Sequence, residues 1–310
     1  MISNAHALSI RFLVVIAAVT FAFAGVSPAN AADMAALQER AQRGDVDAQI
    51  DLAEAYMDSG NAVDAQNWML RAAEEGSPRA QNLIGILYSG RNDPCEALKW
   101  FKKAAAQNYA QGLCSLGVSY SQGLCVPKNA AEAAKLYRRA AEMGSVQAQT
   151  NLGILYLEGR GIKKDAAEAI KWFRRAAAQD DAIAQCYIGK IYFDGTGVTQ
   201  DRAEAVDWFR KAADKGDDEA EFCLGASYAD GKGVEQNYAE AVKWNRKAAQ
   251  QGHATAQYYL GREYYTGQGV ERDLAEAVKW FRKSAEQGNQ EASWTLSMIE
   301  REGEAPAKQP

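Results

Sequence analysis

Two kinds of amphipathic segment alternate along most of the chain. The first kind carries small and apolar residues three or four positions apart, as in Ala148, Leu152, Leu155 and Tyr156. The second kind carries an apolar stripe with aromatic residues at its centre, as in Ala169, Trp172, Phe173 and Ala176. Both spacings place the apolar side chains on one face of a helix. The pattern therefore predicts a series of antiparallel helix pairs.

The helix pairs repeat at a fixed interval. Four closely similar copies of the second segment fill 167–180, 203–216, 239–252 and 275–288, each 36 residues after the previous one. The first segments carry Leu-Gly with a tyrosine three residues later, and the interval between these glycines is 36 residues from Gly117 to Gly261. The first two units measure 32 residues, because they lack a Gly-x-Gly loop between their helices. About seven units result, over about 48–291, and they are predicted to stack as an all-α repeat fold.

The ends of the helices are also marked. Six second segments begin with a polar residue followed by glutamate three positions later, which is a capping-box pattern: Asp93, Asn129, Asp165, Asp201, Asn237 and Asp273. Glycines follow both kinds of segment, where a left-handed residue ends a helix. The glycine of the Leu-Gly pair, such as Gly153, is expected to let a bulky neighbouring side chain approach the backbone.

The two ends of the chain differ from the repeats. Residues 34–44 are predicted to form a lone second-type helix and 292–302 a lone first-type helix, which together cap a solenoid over 32–302. Residues 303–310 have no periodicity and are predicted to be disordered.

The first 31 residues have the pattern of a secretory signal peptide. Arg11 precedes an apolar stretch at 12–26, and Ala29-Asn30-Ala31 forms a cleavage site. An uncleaved anchor is the alternative, although a spanning helix needs about 20 apolar residues. We therefore expect cleavage after Ala31 and an exported, soluble mature chain, either periplasmic or secreted.

The repeated sequence segments resemble those of a known family. The consensus A-x-x-x-L-G-x-x-Y-x-x-G-x-G-V, followed by D-x-x-E-A-x-x-W-x-x-K-A-A-x-x-G, is similar to the Sel-one-like repeat (SLR), a relative of the tetratricopeptide repeat, over about residues 34–302. The resemblance implies a right-handed α-solenoid that serves as a protein-binding scaffold. The first two units depart from the pattern by lacking the glycine loop, and the third has Leu136-Tyr137 in place of Trp-Phe.

Composition argues against several kinds of chemistry. The formal net charge of −5 and the absence of a basic cluster exclude nucleic acid as an expected partner. Of the two histidines, His6 lies in the predicted signal peptide, and His253 lies in an inter-repeat turn, where we expect it to be solvated. No catalytic residue, metal site or cofactor is therefore predicted. The alternative is a β-lactam- or peptidoglycan-directed hydrolase or binding protein of the secreted SLR type, against which no serine has lysine three residues later.

Five cysteines follow the predicted cleavage site, so in an oxidising compartment at least one is unpaired or bonds to another chain. Cys95 and Cys125 lie in or beside inter-helix loops of adjacent units and are the best candidate disulfide pair. Cys186 and Cys223 lie on first helices of neighbouring units, where a bond would be strained. Buried free thiols are the alternative for all of them.

The candidate binding site follows by analogy with tetratricopeptide repeats, whose first helices line the concave face. The positions three before and one and four after the Leu-Gly glycine are expected to point inward. The first of these three rows contains Asn82, Cys114, Thr150, Cys186, Phe222 and Tyr258. Aromatic and cationic members concentrate in the last three units: Lys190, Phe193, Phe222, Tyr258, Arg262 and Tyr265.

We expect a monomer that binds an extended or helical segment of another protein on these residues. A regulator of a membrane sensor, or a protein acting in an envelope or host process, would fit this description. The alternative is that Phe222 and Tyr258 merely pack between neighbouring first helices.

Overall fold

The computed structural model describes residues 31–304, and the predicted signal peptide as far as Asn30 and the last six residues lie outside this range. Between these limits the chain forms helices and no strand. It divides into two compact units at Lys164 and Asp165. The first unit contains α1 (Ala31–Gln42), α2 (Val46–Asp58), α3 (Ala62–Glu74), α4 (Pro78–Gly90), α5 (Pro94–Ala106), α6 (Ala110–Gln122), α7 (Ala130–Glu142) and α8 (Val146–Glu158).

The second unit contains the remaining eight helices, and the predicted all-α repeat fold is confirmed. They are α9 (Ala166–Ala177), α10 (Ala182–Asp194), α11 (Arg202–Ala213), α12 (Asp218–Asp230), α13 (Tyr238–Gln250), α14 (Ala254–Thr266), α15 (Leu274–Glu286) and α16 (Gln290–Glu304). α16 extends two residues into the segment 303–310, which was predicted to be disordered. The first proline of that segment is Pro306, so nothing earlier forces the helix to stop.

The predicted capping residues begin the second helix of six repeats. In each case the side chain of the capping residue accepts a hydrogen bond from the backbone N–H of the glutamate three positions later, as Asp201 does from Glu204 at 2.9 Å. The same bond is made by Asp93, Asn129, Asp165, Asn237 and Asp273. Each such cap is worth about 1 kcal/mol of helix stability. The capping pattern in the sequence is thereby confirmed.

Glycines end the first helices of the last five repeats in the left-handed conformation: Gly123, Gly159, Gly195, Gly231 and Gly267. The second glycine of the loop serves a different purpose. A Cβ atom on Gly233 would collide with the carbonyl group of Arg202, the first residue of the previous second helix. The Gly-x-Gly loop is therefore a contact between consecutive repeats.

The glycine of the Leu-Gly pair, or of the Ile-Gly pair that replaces it at Gly189, lies against an aromatic ring. A Cβ atom on Gly189 would lie 2.6 Å from the Phe209 ring, and one on Gly261 would lie 2.7 Å from the Phe281 ring. Both rings belong to the second helix of the same repeat and are buried. The predicted close approach of a bulky side chain is confirmed, and its source is the partner helix of the pair.

Candidate partner-binding surface

The six predicted binding residues lie on three first helices of the second unit. Lys190 and Phe193 lie on α10, Phe222 on α12, and Tyr258, Arg262 and Tyr265 on α14. The six residues differ in burial and in the groups that they contact.

Most positions of the first predicted row are buried. Asn82, Cys114, Thr150 and Cys186 are all buried, so the expectation that they line an exposed face is wrong. Neighbouring first helices lie close enough to cover these small side chains, as shown by the Ser115 hydroxyl, which donates a hydrogen bond of 2.9 Å to the Asn82 side-chain oxygen. Phe222 and Tyr258 are larger and remain half-buried.

His253 is a structural capping residue. Its Nδ1 accepts a hydrogen bond of 3.0 Å from the backbone N–H of Ala256, at the start of α14. The Phe222 ring stacks on the imidazole with 4.9 Å between ring centroids. The expectation of a solvated turn residue is wrong, because the cap draws the imidazole against the helix end and Phe222 covers it.

Lys190 is engaged in an ion pair. Its ammonium group lies 2.7 Å from Glu219 Oε1, and His253 Nε2 lies 3.2 Å from Glu219 Oε2. Because Nδ1 accepts the capping bond, Nε2 carries the proton in neutral His253 and donates to the carboxylate. Burial disfavours ionised Glu219, but the His253 hydrogen bond and the Lys190 charge outweigh it and lower its pKa to about 2. Lys190 is therefore half-buried and paired with Glu219, so it is not the free cation that the sequence suggested for the binding surface.

Arg262 is exposed, and its guanidinium group lies against two tyrosine rings. Its guanidinium carbon lies 5.9 Å from the Tyr258 ring centroid and 5.4 Å from that of Tyr259. The two tyrosine rings meet edge to face at 5.6 Å. None of the ion pairs within residues 31–304 includes Arg262. Its donors are therefore available to a ligand, while the rings restrict where the guanidinium can move.

Phe193 and Tyr265 occupy equivalent positions at the end of α10 and α14. The Phe193 ring lies 6.1 Å from the Phe209 ring and 5.6 Å from the Arg202 guanidinium. The backbone carbonyl of Tyr265 accepts a hydrogen bond of 3.0 Å from Arg272 Nε. Both residues are half-buried beside the inter-helix loops.

Sequence reasoning missed two exposed aromatic residues, Tyr259 and Trp294. Tyr259 lies 5.5 Å from Phe222, centroid to centroid, and is 36% exposed. Trp294 lies on α16, 36 residues after Tyr258, and is 66% exposed. Applying the 36-residue period to the last helix would have identified Trp294 from the sequence. We call Phe222, Tyr258, Tyr259, Arg262 and Trp294 the aromatic surface.

The structure brings Cys95 and Cys125 together as a disulfide, with 5.1 Å between their Cα atoms. Cys95 lies in the first turn of α5, and Cys125 lies in the loop after α6. Cys114, Cys186 and Cys223 are free thiols. Within the described part of the chain, no group of three or more histidine, cysteine, aspartate or glutamate side chains could hold a metal ion.

Comparison with known families identifies the repeats. The family model of the Sel1 repeat matches seven consecutive segments, 46–77, 78–109, 110–145, 146–181, 182–217, 218–253 and 254–289. The chain belongs to the Sel1 repeat family. Each matched segment begins with the first residue of a first helix, so the helix pair is the Sel1 unit. The predicted resemblance, seven units and 32- and 36-residue periods are confirmed.

Solved Sel1 structures share the fold. The chain is 40% identical to c5321, described as a protective antigen of uropathogenic Escherichia coli strains with an SLR fold; the match has a TM-score of 0.68 and covers 79% of this chain and 53% of that one. It is 32% identical to a Sel1 repeat protein of Oxalobacter formigenes, with a TM-score of 0.69 and coverage of 86% and 80%. The chain thus spans about half the length of the E. coli antigen. No curated protein matches the sequence.

The family has a typical role. Sel1 repeat proteins are generally protein-interaction scaffolds, and families of this kind are typically not enzymes. Among residues 31–304 of this Sel1 repeat protein, no helix is long and apolar enough to cross a membrane.

Proposed function

We propose that this Sel1 repeat protein is an exported, non-enzymatic scaffold that binds a segment of another protein on its aromatic surface. The observation that carries the proposal is the exposed Arg262 guanidinium on the Tyr258 and Tyr259 rings, with Trp294 one repeat further on. Aromatic residues and arginine contribute most of the binding energy in protein interfaces. Tyr265 lies on the same helix as Tyr258 and Arg262, whereas Phe193 and Lys190 lie on α10.

Some positions of the repeat keep the same kind of residue and others vary, and this contrast supports the aromatic surface as the binding site. The ring against the first-helix glycine is Phe209 at Gly189 and Phe281 at Gly261, so the same kind of residue fills this position in both repeats. At the position of Phe222, Tyr258 and Trp294, the earlier repeats carry Asn82, Cys114, Thr150 and Cys186. Stacking alone does not require large aromatic side chains there, since the smaller residues are also buried between helices.

The chemistry of the surface indicates what kind of segment it accepts. A carboxylate on the partner would pair with Arg262, which belongs to none of the ion pairs among residues 31–304. Apolar side chains of the partner would cover the exposed faces of Tyr259 and Trp294. An extended or helical peptide segment with acidic and apolar residues satisfies both requirements.

The cellular location is part of the proposal. The pattern of residues 1–31 indicates export, and the Cys95–Cys125 disulfide is consistent with an oxidising compartment. In the periplasm or outside the cell, a monomeric scaffold of this kind would regulate a membrane sensor or act in an envelope or host process.

The proposal predicts that the double substitution Tyr258→Ala/Arg262→Ala weakens partner capture more than tenfold. Two hot-spot side chains that each contribute about 1 kcal/mol or more account for this factor. The measurement is affinity capture from a cell-envelope extract by mature 32–310, with retained proteins quantified by mass spectrometry. A matched control removes two exposed apolar side chains of the first unit, Met57→Ala/Val63→Ala, and should capture as the wild type does.

Stability measurements separate binding from packing. The double variant should keep the helicity and melting temperature of the wild type, because Arg262 is exposed and Tyr258 only half-buried. Equal capture by the wild type and the double variant would contradict the proposal. A large drop in melting temperature together with lost capture would instead assign Tyr258 to packing between helices.

A further inference from the structure

A second pair of cysteines lies in contact inside the second unit. Cys186 on α10 belongs to a buried apolar cluster with Leu224 and Phe209, and Cys223 on α12 packs against the same cluster. The two thiols lie close enough for Cys223 to act on the ionisation of Cys186. Cys186 is buried, whereas Cys223 is partly exposed. Cys223 is therefore the more accessible cysteine of the two.

Charged groups surround this pair on both sides. The Asp217 carboxylate at the start of α12 lies close enough to interact with the Cys186 thiol, and the Lys190 ammonium group lies close enough to act on both sulfurs. Burial raises the pKa of Asp217 to about 6, so it is a better proton acceptor than an exposed aspartate. The interaction with Cys223, together with burial, raises the pKa of Cys186, which stays protonated until a base takes its proton.

We propose that Cys186 and Cys223 form an oxidisable dithiol, which a small-molecule disulfide such as glutathione disulfide converts into a bond between α10 and α12. The Cys223 thiolate attacks one sulfur of the reagent, forming a mixed disulfide and releasing one glutathione thiolate. Cys186 then gives its proton to Asp217 and attacks the Cys223 sulfur, releasing the second glutathione. Two protein thiols lose two electrons and two protons, and one glutathione disulfide becomes two molecules of glutathione.

The other cysteines provide internal controls for this chemistry. Cys95 and Cys125 are already joined. Cys114 is a buried single thiol, whose pKa burial raises to about 12, so it should be inert. The proposed thiol chemistry is independent of partner capture and would stand if the aromatic surface bound nothing.

The test is peptide mapping of folded 32–310 incubated with glutathione disulfide in native buffer. The protein is then denatured, alkylated with N-ethylmaleimide and digested with trypsin, which places Cys186 in peptide 176–190 and Cys223 in peptide 216–232. The expected result is that these two peptides become linked, so that two of the three free thiols are lost and Cys114 alone is alkylated. Cys186→Ser should stop at a glutathione adduct on Cys223, and Cys223→Ser should keep Cys186 alkylatable.

Three results would overturn the proposal. Accumulation of the glutathione adduct on Cys223 of the wild-type protein, without the linked peptides, would show that Cys186 does not reach it. All three thiols could remain alkylatable after incubation. Linkage of either peptide to the one that contains Cys114, or rearrangement of the Cys95–Cys125 bond, would show that the pairing arises from unfolding.

Discussion

Replacing Phe209 with alanine should lower the free energy of unfolding of the second unit by about 3–5 kcal/mol. The ring is 2% exposed and lies against Gly189, which has no side chain that could move into the space left behind. The Phe193 ring, 6.1 Å away, would lose a neighbour as well. Since each repeat is stabilised mainly by its neighbours, the loss should weaken the repeats on both sides within the unit.

Urea denaturation followed by circular dichroism measures this effect. Trp294→Ala is the matched control, because it removes an aromatic ring that is 66% exposed and should change stability by less than about 0.5 kcal/mol. Equal losses for the two variants would contradict the assignment of Phe209 to the packing and of Trp294 to the surface.

The sixth repeat contains a buried polar pair where the second to fifth and the seventh repeats carry an aromatic ring. Asn245 occupies the position of Phe209 and Phe281, next to Gly225, and its Nδ2 donates a hydrogen bond of 2.7 Å to Glu263 Oε1. Asn245 is 1% exposed and Glu263 8% exposed. Among the described residues, Glu263 Oε2 has no hydrogen-bond partner. Burial therefore raises the pKa of Glu263 to about 7, although the Asn245 hydrogen bond lowers it in part.

The second prediction is that this carboxyl group makes the protein less stable as the pH rises from about 4.5 to about 7. Below pH 4.5 the group is protonated in both the folded and the unfolded chain. As the pH rises, the unfolded chain loses the proton first while the folded chain retains it, so stability falls until the folded-state pKa is passed. The pKa rises from 4.5, the ordinary value, to about 7 in the folded chain, and this difference corresponds to a loss of about 3 kcal/mol in the free energy of unfolding.

The difference between wild type and Glu263→Gln isolates this contribution. Other carboxyl groups with raised pKa values, such as Asp217, titrate in both proteins and cancel. From pH 4.5 to pH 8 the wild type should lose about 3 kcal/mol relative to Glu263→Gln, measured by urea denaturation at each pH. Glu286→Gln, which removes an exposed carboxylate, should follow the wild type. A constant difference between wild type and Glu263→Gln would contradict the prediction.

The features that the sequence predicted correctly depend on local rules. The capping aspartates and asparagines act on a backbone N–H three residues away, and the left-handed glycines end their own helix, so neither needs a knowledge of tertiary packing. The close approach at the first-helix glycine was also predictable, because a glycine and an aromatic residue recur together in five of the seven repeats. These elements determine the helix pair and its period.

The features that the sequence missed depend on distances between helices. Asn82 and Tyr258 occupy the same position of the repeat, yet Asn82 is buried and Tyr258 half-buried, because the size of the side chain decides whether the adjacent helix can cover it. His253 was missed because histidine is not a typical capping residue. Lys190 was taken for an accessible cation because its partner, Glu219, lies 29 residues away in the chain.

The most direct test of the proposed function is site-specific photo-crosslinking in intact cells. A photoreactive phenylalanine derivative is placed at Tyr259 or Trp294, and at Val63 in the first unit as the control; all three side chains are exposed. The account predicts that the same protein becomes crosslinked from positions 259 and 294, and that position 63 yields no such product. Equal crosslinking from all three positions, or from position 63 alone, would contradict binding at the aromatic surface.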